Sequence, residues 1–560
     1  MRNLIRVAAY FTFLTGAAVA QPPLIYNRSI YNAASFIPAG VPSGTIAQGS
    51  IFSIFGTRLG PTSSVTASSF PLGNTLGGVS INIIQGATSM PAIPVYVSGG
   101  QINAIMPSTA PLGMVSVQVA FNNLKSNMAP VQIASSEVGV FTATGTGIGE
   151  GVLWNFISQK SQPVNSPTIT AKPGQVITLW ATGLGPVPYA DNIPPTAGNL
   201  PVQVQVFVGG QPAGVQYSGR SSCCAGVDQL VFTVPNNAPS GCWVPVYVKT
   251  AGANLSNFVT IAINPSGATC TTDVLPQVTT AFIKGQTLGE AIVTRTTTRH
   301  DIGTIAPVDV TSDYHVSFAF EPPVTPFPFN PALAFPPSGT CTAYMHASDL
   351  LDGRAGSPPL PGIVPTTMPL DVGPPFMLTG PNGTKTLSAG FFSATAGFLG
   401  GLISNNILPS SLFLDPGSYT LRGFGGTEVG SFTTNFTIPQ PLNWTNRLQT
   451  NLVPRAQPLT ISWTGGDTSQ VVSIIGFGDD LPTNSSTAFV CIAPPGATSF
   501  TVPTDILSTL PAGRPNPLQS KDVIYLLTLS GSSLKPINAT GLDVGLTSYY
   551  SIIGKTVYWQ

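Results

Sequence analysis

The sequence predicts an all-β chain built of tandem antiparallel immunoglobulin-like β-sandwiches. Three observations lead there. Many segments alternate apolar and polar residues, as Val202-Gln-Val-Gln-Val-Phe-Val208 and Val115-Ser-Val-Gln-Val119 do, which is the period of a half-buried strand. Glycine (59) and proline (55) punctuate these segments with turns, while an apolar content of 42% supplies cores and excludes disorder throughout. One long block of the chain also occurs twice. The 21 basic and 21 acidic residues leave no net charge and no basic field to hold a phosphate backbone, so a nucleic-acid partner is excluded.

Residues 1–20 have the three parts of a secretory signal peptide. Arg2 and Arg6 charge the start, Val7 to Val19 is apolar, and Ala18-Val19-Ala20 offers a cleavage site before Gln21. The stretch is too short to span a bilayer stably, and the best later one, Phe391 to Ile403, is interrupted by Gly397, Gly400 and Gly401. The mature chain is therefore expected to be exported and soluble, without a transmembrane span.

The repeat follows. Gly49-Ser-Ile-Phe-Ser-Ile-Phe-Gly-Thr-Arg-Leu-Gly-Pro61 lies on Gly174-Gln-Val-Ile-Thr-Leu-Trp-Ala-Thr-Gly-Leu-Gly-Pro186 at an offset of 125 residues. Gln101-Ile-Asn-Ala-Ile-Met-Pro107 lies on Gln229-Leu-Val-Phe-Thr-Val-Pro235 at 128, and Ser126-Asn127 on Ser256-Asn257 at 130. Blocks in one order with a slowly growing offset define two copies of one domain, over 24–135 and 137–265. Thr57 to Pro61 and Thr182 to Pro186 are turns, and Phe121-Asn-Asn-Leu124 closes a hairpin. No amphipathic helix covers a sheet in either copy, which favours antiparallel sandwiches.

The second half continues in the same style without a third copy. Strands are expected at Tyr314 to Phe320, Thr340 to Met345, Phe376 to Leu387 with its Pro381-Asn-Gly turn, Ser418 to Leu421 and Ser431 to Ile438. After Pro441 they are expected at Leu459 to Trp463, Val471 to Phe477, Thr487 to Ile492, Ser499 to Val502, Val523 to Leu529 and Ser551 to Trp559. Pro322 to Pro337 is a linker or long loop, because proline removes ladder donors. These elements divide into two more sandwiches, over 275–440 and 441–560.

At Asn32-Ala-Ala-Ser35, Gln101-Ile-Asn103, Lys172-Pro-Gly174 and Ala181-Thr-Gly-Leu-Gly-Pro186, residues 30 to 265 resemble the secreted acidobacterial proteins that carry the Solibacter-type C-terminal domain. Arg220-Ser-Ser-Cys-Cys-Ala-Gly-Val-Asp-Gln229 with Ser240-Gly-Cys-Trp243 is similar to a cysteine-bearing branch of that family. The glycine pattern also resembles IPT/TIG immunoglobulin-like domains. The resemblance implies fold and export and supplies no catalytic residue. Arg58 departs from it where the second copy has Gly183, which weakens any demand for positive φ there.

Six cysteines in an exported chain imply disulfides. Cys223 and Cys224 are adjacent, the wrong spacing for structural zinc, and adjacent cysteines usually reach different partners. Cys242 is expected to bond one of them and Cys270 the other, leaving Cys341 with Cys491 to tie the last two domains together.

Chemistry is sparse. The chain lacks a Gly-x-Ser-x-Gly elbow, a Walker loop and a His-Glu-x-x-His motif, and the glycines at 145, 147, 149 and 151 miss the dinucleotide spacing at Glu150. His300, His315 and His346 are the only imidazoles, with Asp301 and Asp313 nearby; neighbours on a strand face opposite ways, which disfavours a triad. Glu137, Glu150, Glu290, Glu321 and Glu428 are the carboxylates a glycosidase could pair. Asp479-Asp480 and Asp349-x-x-Asp352-Gly353 read as solvated turns rather than calcium loops. Trp180 and Trp463 are expected in cores, whereas Trp444 and Trp559 are the possible stacking platforms for a sugar ring. Catalytic, cofactor and metal sites are expected to be absent. The reading is an exported, non-enzymatic structural or binding protein, outside the cell or at its surface, with an unknown surface protein or glycan as partner. The alternative is an extracellular enzyme or accessory protein acting on polysaccharide.

Overall fold

The computed structural model describes residues 21–250, 254–300, 307–322, 325–330, 334–345, 368–373, 375–387, 412–466, 469–480, 485–513 and 522–560. The expected signal peptide over 1–20, the apolar stretch Phe391 to Ile403, Asp301, His346 and the expected turn at Asp349 to Gly353 lie outside the described residues. Within them the chain is all-β.

The first sandwich contains β1 (Leu24–Asn32), β2 (Ile51–Thr57), β3 (Val79–Gln85), β4 (Thr88–Val97), β5 (Gln101–Ile105), β6 (Gly113–Phe121) and β7 (Ala129–Ala134), hydrogen-bonded in the order β1-β2-β5-β4-β3-β6-β7. The second contains β8 (Gly139–Val140), β9 (Leu153–Asn155), β10 (Val176–Thr182), β11 (Val204–Val208), β12 (Gln211–Arg220), β13 (Asp228–Thr233), β14 (Gly241–Thr250) and β15 (Val259–Ile263). Its order β8-β10-β13-β12-β11-β14-β15 repeats the first strand for strand, with β9 added beside β10. Even the crossing between layers is the same. β4 pairs with β3 through its first half and with β5 through its second, past an irregularity between Pro94 and Tyr96. β12 does this with β11 and β13, past an irregularity between Val215 and Tyr217. Such bulges bend a strand from one layer to the next.

The recurring residues close the same bonds in both copies. Asn127 Oδ1 accepts the Ile25 amide and its Nδ2 donates to the Ile25 carbonyl (2.8 and 3.1 Å); Asn257 holds Val140 in the same way (2.8 and 3.0 Å). The Ser126 hydroxyl accepts the Val119 amide, and the Ser256 hydroxyl the Val248 amide, each at 2.9 Å. The Ser-Asn pair thus fastens the first strand of each sandwich to the strand before the last. The turn glycine is conserved in role as well. Gly183 has φ 103, and a Cβ there would lie 2.0 Å from the Glu137 carbonyl oxygen. Arg58 occupies the equivalent place with φ 57, so the positive φ persists without glycine, contrary to expectation, and its Nε donates to the Pro22 carbonyl.

The second half is not two further sandwiches in a row. A nine-residue helix, α1 (Pro276–Lys284), starts at a proline and ends at Gly285 in the left-handed conformation. The strands β16 (Leu288–His300), β17 (Val308–Glu321), β18 (Cys341–Tyr344), β19 (Val471–Asp480), β20 (Ser485–Ile492), β21 (Val523–Leu529) and β22 (Val544–Thr556) form one sheet in the order β18-β20-β19-β21-β22-β16-β17. β16 and β22 run parallel over twelve residue pairs. Strands from both sides of residue 440 therefore share a sheet, and the expected boundary at 440/441 does not separate two sheets. The reason is a pairing between segments some 250 residues apart, which alternation within either segment cannot reveal.

Successive residues of this sheet serve opposite cores. Ile475, Phe477, Tyr525, Leu527, Tyr550 and Ile552 pack with α1 on one face. Ile474, Phe489, Ile524 and Leu526 face Trp444, Ile461 and Trp463, while Ala291, Val293 and Tyr549 face a four-stranded sheet over 376–438. The second sandwich docks on the same assembly. β14 is buried on both faces: Val244, Val246 and Val248 enter its own core, whereas Trp243 and Tyr247 enter the cores of the large sheet. Tyr247 stacks between Phe207 and Phe258, with ring centroids 4.9 and 4.5 Å away, and shares Asp505 with Lys249 (3.0 and 2.7 Å). The sandwiches are fused rather than strung.

Cys242 is bonded to Cys270, Cys341 to Cys491, and Cys223 to its neighbour Cys224. The expected bonds from Cys242 and Cys270 to the adjacent pair are thereby corrected. Cys242 lies in the core beneath α1, where Cys270 meets it. Cys341 and Cys491 are directly opposed on β18 and β20, so that bond staples one sheet instead of two domains.

Candidate functional site

The platforms expected at Trp444 and Trp559 are not available. Trp444 is 4% exposed and Trp559 0% exposed, because both enter the core beneath the large sheet. Their ring nitrogens donate inward, Trp559 Nε1 to the Phe477 carbonyl (2.7 Å) and Trp444 Nε1 to Asn446 Oδ1 (2.9 Å). Neither face can receive a sugar. Trp463 is buried in the same core.

Trp180 is the tryptophan that departs from its expected place. On β10, Ile177, Leu179 and Ala181 enter the core, so Val176, Thr178 and Trp180 lie on the opposite, outer face. Trp154 on β9 lies opposite Thr178 and shares that face. The two indoles are half-buried and packed edge to face, with centroids 5.0 Å apart and planes at 64°. Trp180 Nε1 is turned into the protein and is buried, so the part of its ring left to solvent is apolar. Across the sheet, Gln229 pairs with Trp180, Val231 with Thr178 and Thr233 with Val176, and Tyr217 lies beyond Val231. Exposed Phe156 extends the surface past Trp154. Every residue named on this face is uncharged.

The first sandwich shows why this face is open. Phe55 stands where Trp180 does and Tyr31 where Trp154 does, and Tyr31 lies opposite Ser53 as Trp154 lies opposite Thr178. There the Asn32 to Phe36 turn folds Phe36 over the pair, at 6.3 Å from each ring, and buries all three. In the second sandwich the chain after β8 runs instead through the 142–151 loop and returns as β9. The strand parity of Ile177, Leu179 and Ala181 was the sequence signal for an outward Trp180.

The catalytic candidates are kept apart or occupied. Asp313 receives Arg295 through both oxygens (2.7 and 2.9 Å) together with the amides of Phe413 and Leu414, so it is a structural anchor. His315 is buried edge-on against Phe376, and His300 is half-buried at the end of β16. Glu137, Glu150 and Glu290 are buried, and burial pushes each carboxyl from 4.5 up to about 7. Thr45 and Ser548 donate to Glu137 and Glu290 and pull the other way. Glu321 and Glu428 are exposed, and Glu428 accepts the Asp371 amide. Asp479 accepts the Ser486 hydroxyl. Among the described residues no group of three or more His, Cys, Asp or Glu could hold a metal ion, and no helix is long and apolar enough to cross a membrane.

No protein-family profile matches the chain, and no curated protein matches it. Among solved structures it is similar to a protein of unknown function from Bacteroides thetaiotaomicron, at 9% identity and a TM-score of 0.15. That match covers 42% of this chain and 48% of the other, so the chain spans about half the length of that neighbour. It is also similar to SGBP-B from a complex xyloglucan utilization locus in Bacteroides uniformis, at 10% identity and a TM-score of 0.16, covering 96% of this chain and 100% of that one. Tandem immunoglobulin domains of titin match at 9% identity and a TM-score of 0.12, over 39% of this chain and 91% of theirs. These likenesses are too distant to bear on activity.

Proposed function

We propose that this chain is an exported, non-enzymatic binding protein, acting outside the cell or at its surface, whose second sandwich receives a neutral glycan. The observation that carries the reading is the half-buried edge-to-face pair of Trp154 and Trp180 on an uncharged outer sheet face. An indole presents a flat apolar surface to the C–H face of a pyranose, while half-buried Gln229 and Thr233 on the neighbouring strand offer an amide and a hydroxyl group to sugar hydroxyls. A charged ligand would find no counter-charge among these residues. Export is supported by the signal sequence, by the resemblance of residues 30 to 265 to an exported family, and by three disulfides, which belong to an oxidising compartment. A binding role without turnover is supported by the placement of the glutamates, three sealed inside and two exposed, none of them on the Trp154–Trp180 face. The test is titration of the mature protein with neutral oligosaccharides against the Trp154→Ala and Trp180→Ala variants. Each substitution should weaken binding about tenfold, the loss of one stacking contact, in a protein that still unfolds cooperatively at a somewhat lower midpoint. Binding that survives both together would remove the site.

A further inference from the structure

The 221–227 loop carries a feature the binding face does not use. Cys223 and Cys224 form a disulfide through a single peptide bond and are both exposed. The other two disulfides are guarded: Cys242, Cys270 and Cys491 are buried, and Cys341 is half-buried in register with Cys491. The loop is held at its base while the two cysteines at its tip are exposed. Arg220 and Asp228 form a buried ion pair (2.8 Å) beneath it, and the Ser221 amide donates to the Val227 carbonyl (3.0 Å). Thr182 Oγ1 donates to the Gly226 carbonyl (2.6 Å), and Ala225 packs with Leu72 and Ile105 of the first sandwich. Chemistry at the tip can thus proceed without unfolding the base.

We propose that Cys223–Cys224 is a thiol–disulfide exchange site, open to small-molecule thiols and to cysteine thiolates of other proteins, and that it reacts in one direction. The Ser221 hydroxyl donates to Cys223 Sγ (3.3 Å) and accepts the Cys223 amide (3.1 Å). A hydrogen bond to sulfur stabilises charge developing on it, so Cys223 is the leaving thiolate and Cys224 the sulfur attacked. An incoming thiolate forms a new S–S bond to Cys224 while the old bond breaks and its electron pair leaves on Cys223. The freed Cys223 thiolate can attack back and expel the thiol. Alternatively a second external thiolate attacks the mixed disulfide, releasing the oxidised external disulfide and leaving both cysteines reduced.

The test exposes the full mature chain to reduced glutathione at pH 8, pulses N-ethylmaleimide at intervals and maps the peptides. The first species should carry maleimide on Cys223 and glutathione on Cys224, with Cys242–Cys270 and Cys341–Cys491 intact. Ser221→Ala should slow its appearance roughly tenfold, the effect of losing one hydrogen bond to a charged group. Opening of either other disulfide before the adjacent pair would overturn the site. Glutathione on Cys223, or an unchanged rate in Ser221→Ala, would overturn the assigned direction. Maleimide capture at these residues in the untreated protein would show that the pair is not oxidised.

Discussion

Replacing Asn257 by alanine removes three buried hydrogen bonds at once. Its Oδ1 accepts the Val140 amide at 2.8 Å, and its Nδ2 donates to the carbonyls of Val140 (3.0 Å) and Gly147 (2.7 Å). Asn257 is 3% exposed, so water cannot take its place, and one amide and two carbonyls are left unsatisfied. At roughly 1–3 kcal/mol for each stranded group, partly relieved by relaxation, the local cost is about 3–5 kcal/mol. The equivalent Asn127 makes only the two bonds to Ile25 and is exposed, so Asn127→Ala should cost about 1 kcal/mol. The two substitutions are chemically identical and occupy the same place in the same fold, so they differ in burial and in the one extra bond that Asn257 makes to Gly147. Hydrogen exchange followed by mass spectrometry on peptides over 24–28 and 138–142 reads each strand separately. Asn257→Ala should speed exchange over 138–142 by about two to four orders of magnitude, and Asn127→Ala over 24–28 by tenfold or less. Equal accelerations, or a larger one for Asn127→Ala, would refute the view that the sealed bonds of Asn257 hold their strand more tightly than the exposed bonds of Asn127.

Two further outcomes follow from burial and from the fused architecture. The core of the first sandwich is drawn wholly from residues between Ile25 and Ile133, so the fragment 24–135 should unfold cooperatively alone. Fragment 137–265 should bind a hydrophobic dye or aggregate, because Trp243, Tyr247 and Phe258 lose their covering; a dye-silent monomer would contradict the docking. The buried glutamates give a pH dependence with a definite sign. An acid whose pKa rises from 4.5 unfolded to about 7 folded carries no penalty below 4.5; stability is then lost as the pH climbs towards 7, where the penalty levels off. The melting midpoint should therefore be higher at pH 5 than at pH 8. Glu290→Gln, which keeps an acceptor for the Ser548 hydroxyl, should raise the midpoint by a few degrees at pH 8 and change it little at pH 5. A midpoint insensitive to pH in both proteins would contradict this.

Much of the fold was legible where the information is local. Strand periodicity located β11, β19 and β21, and the three repeated blocks marked residues that make the same bonds twice, Asn127 and Asn257 above all. The second half was legible only in part: most of its strands were expected, but β16 and α1 were not, and neither was the sheet that the strands build. β16 pairs with β22 in parallel across about 250 residues of sequence, and no residue in Leu288 to His300 records that partner. The disulfides illustrate the same limit: bonding Cys223 to Cys224 needs the loop's conformation, while bonding Cys242 to Cys270 depends on which way Cys242 faces. The face proposed to bind was half legible. The parity of Ile177, Leu179 and Ala181 already turned Trp180 outward, but alignment with Phe55 pointed to a core residue, because the first copy covers its aromatic pair with Phe36 and the second does not.

The most direct measurement follows intrinsic tryptophan fluorescence of the mature protein during titration with neutral oligosaccharides, with product analysis of the same mixtures. Saturable binding without turnover is expected, abolished in the Trp154→Ala/Trp180→Ala double variant and kept in Trp444→Phe, whose ring is buried. Turnover that a single Asp or Glu replacement abolishes, or binding that persists in the double variant, would contradict the role given to this chain and its second sandwich.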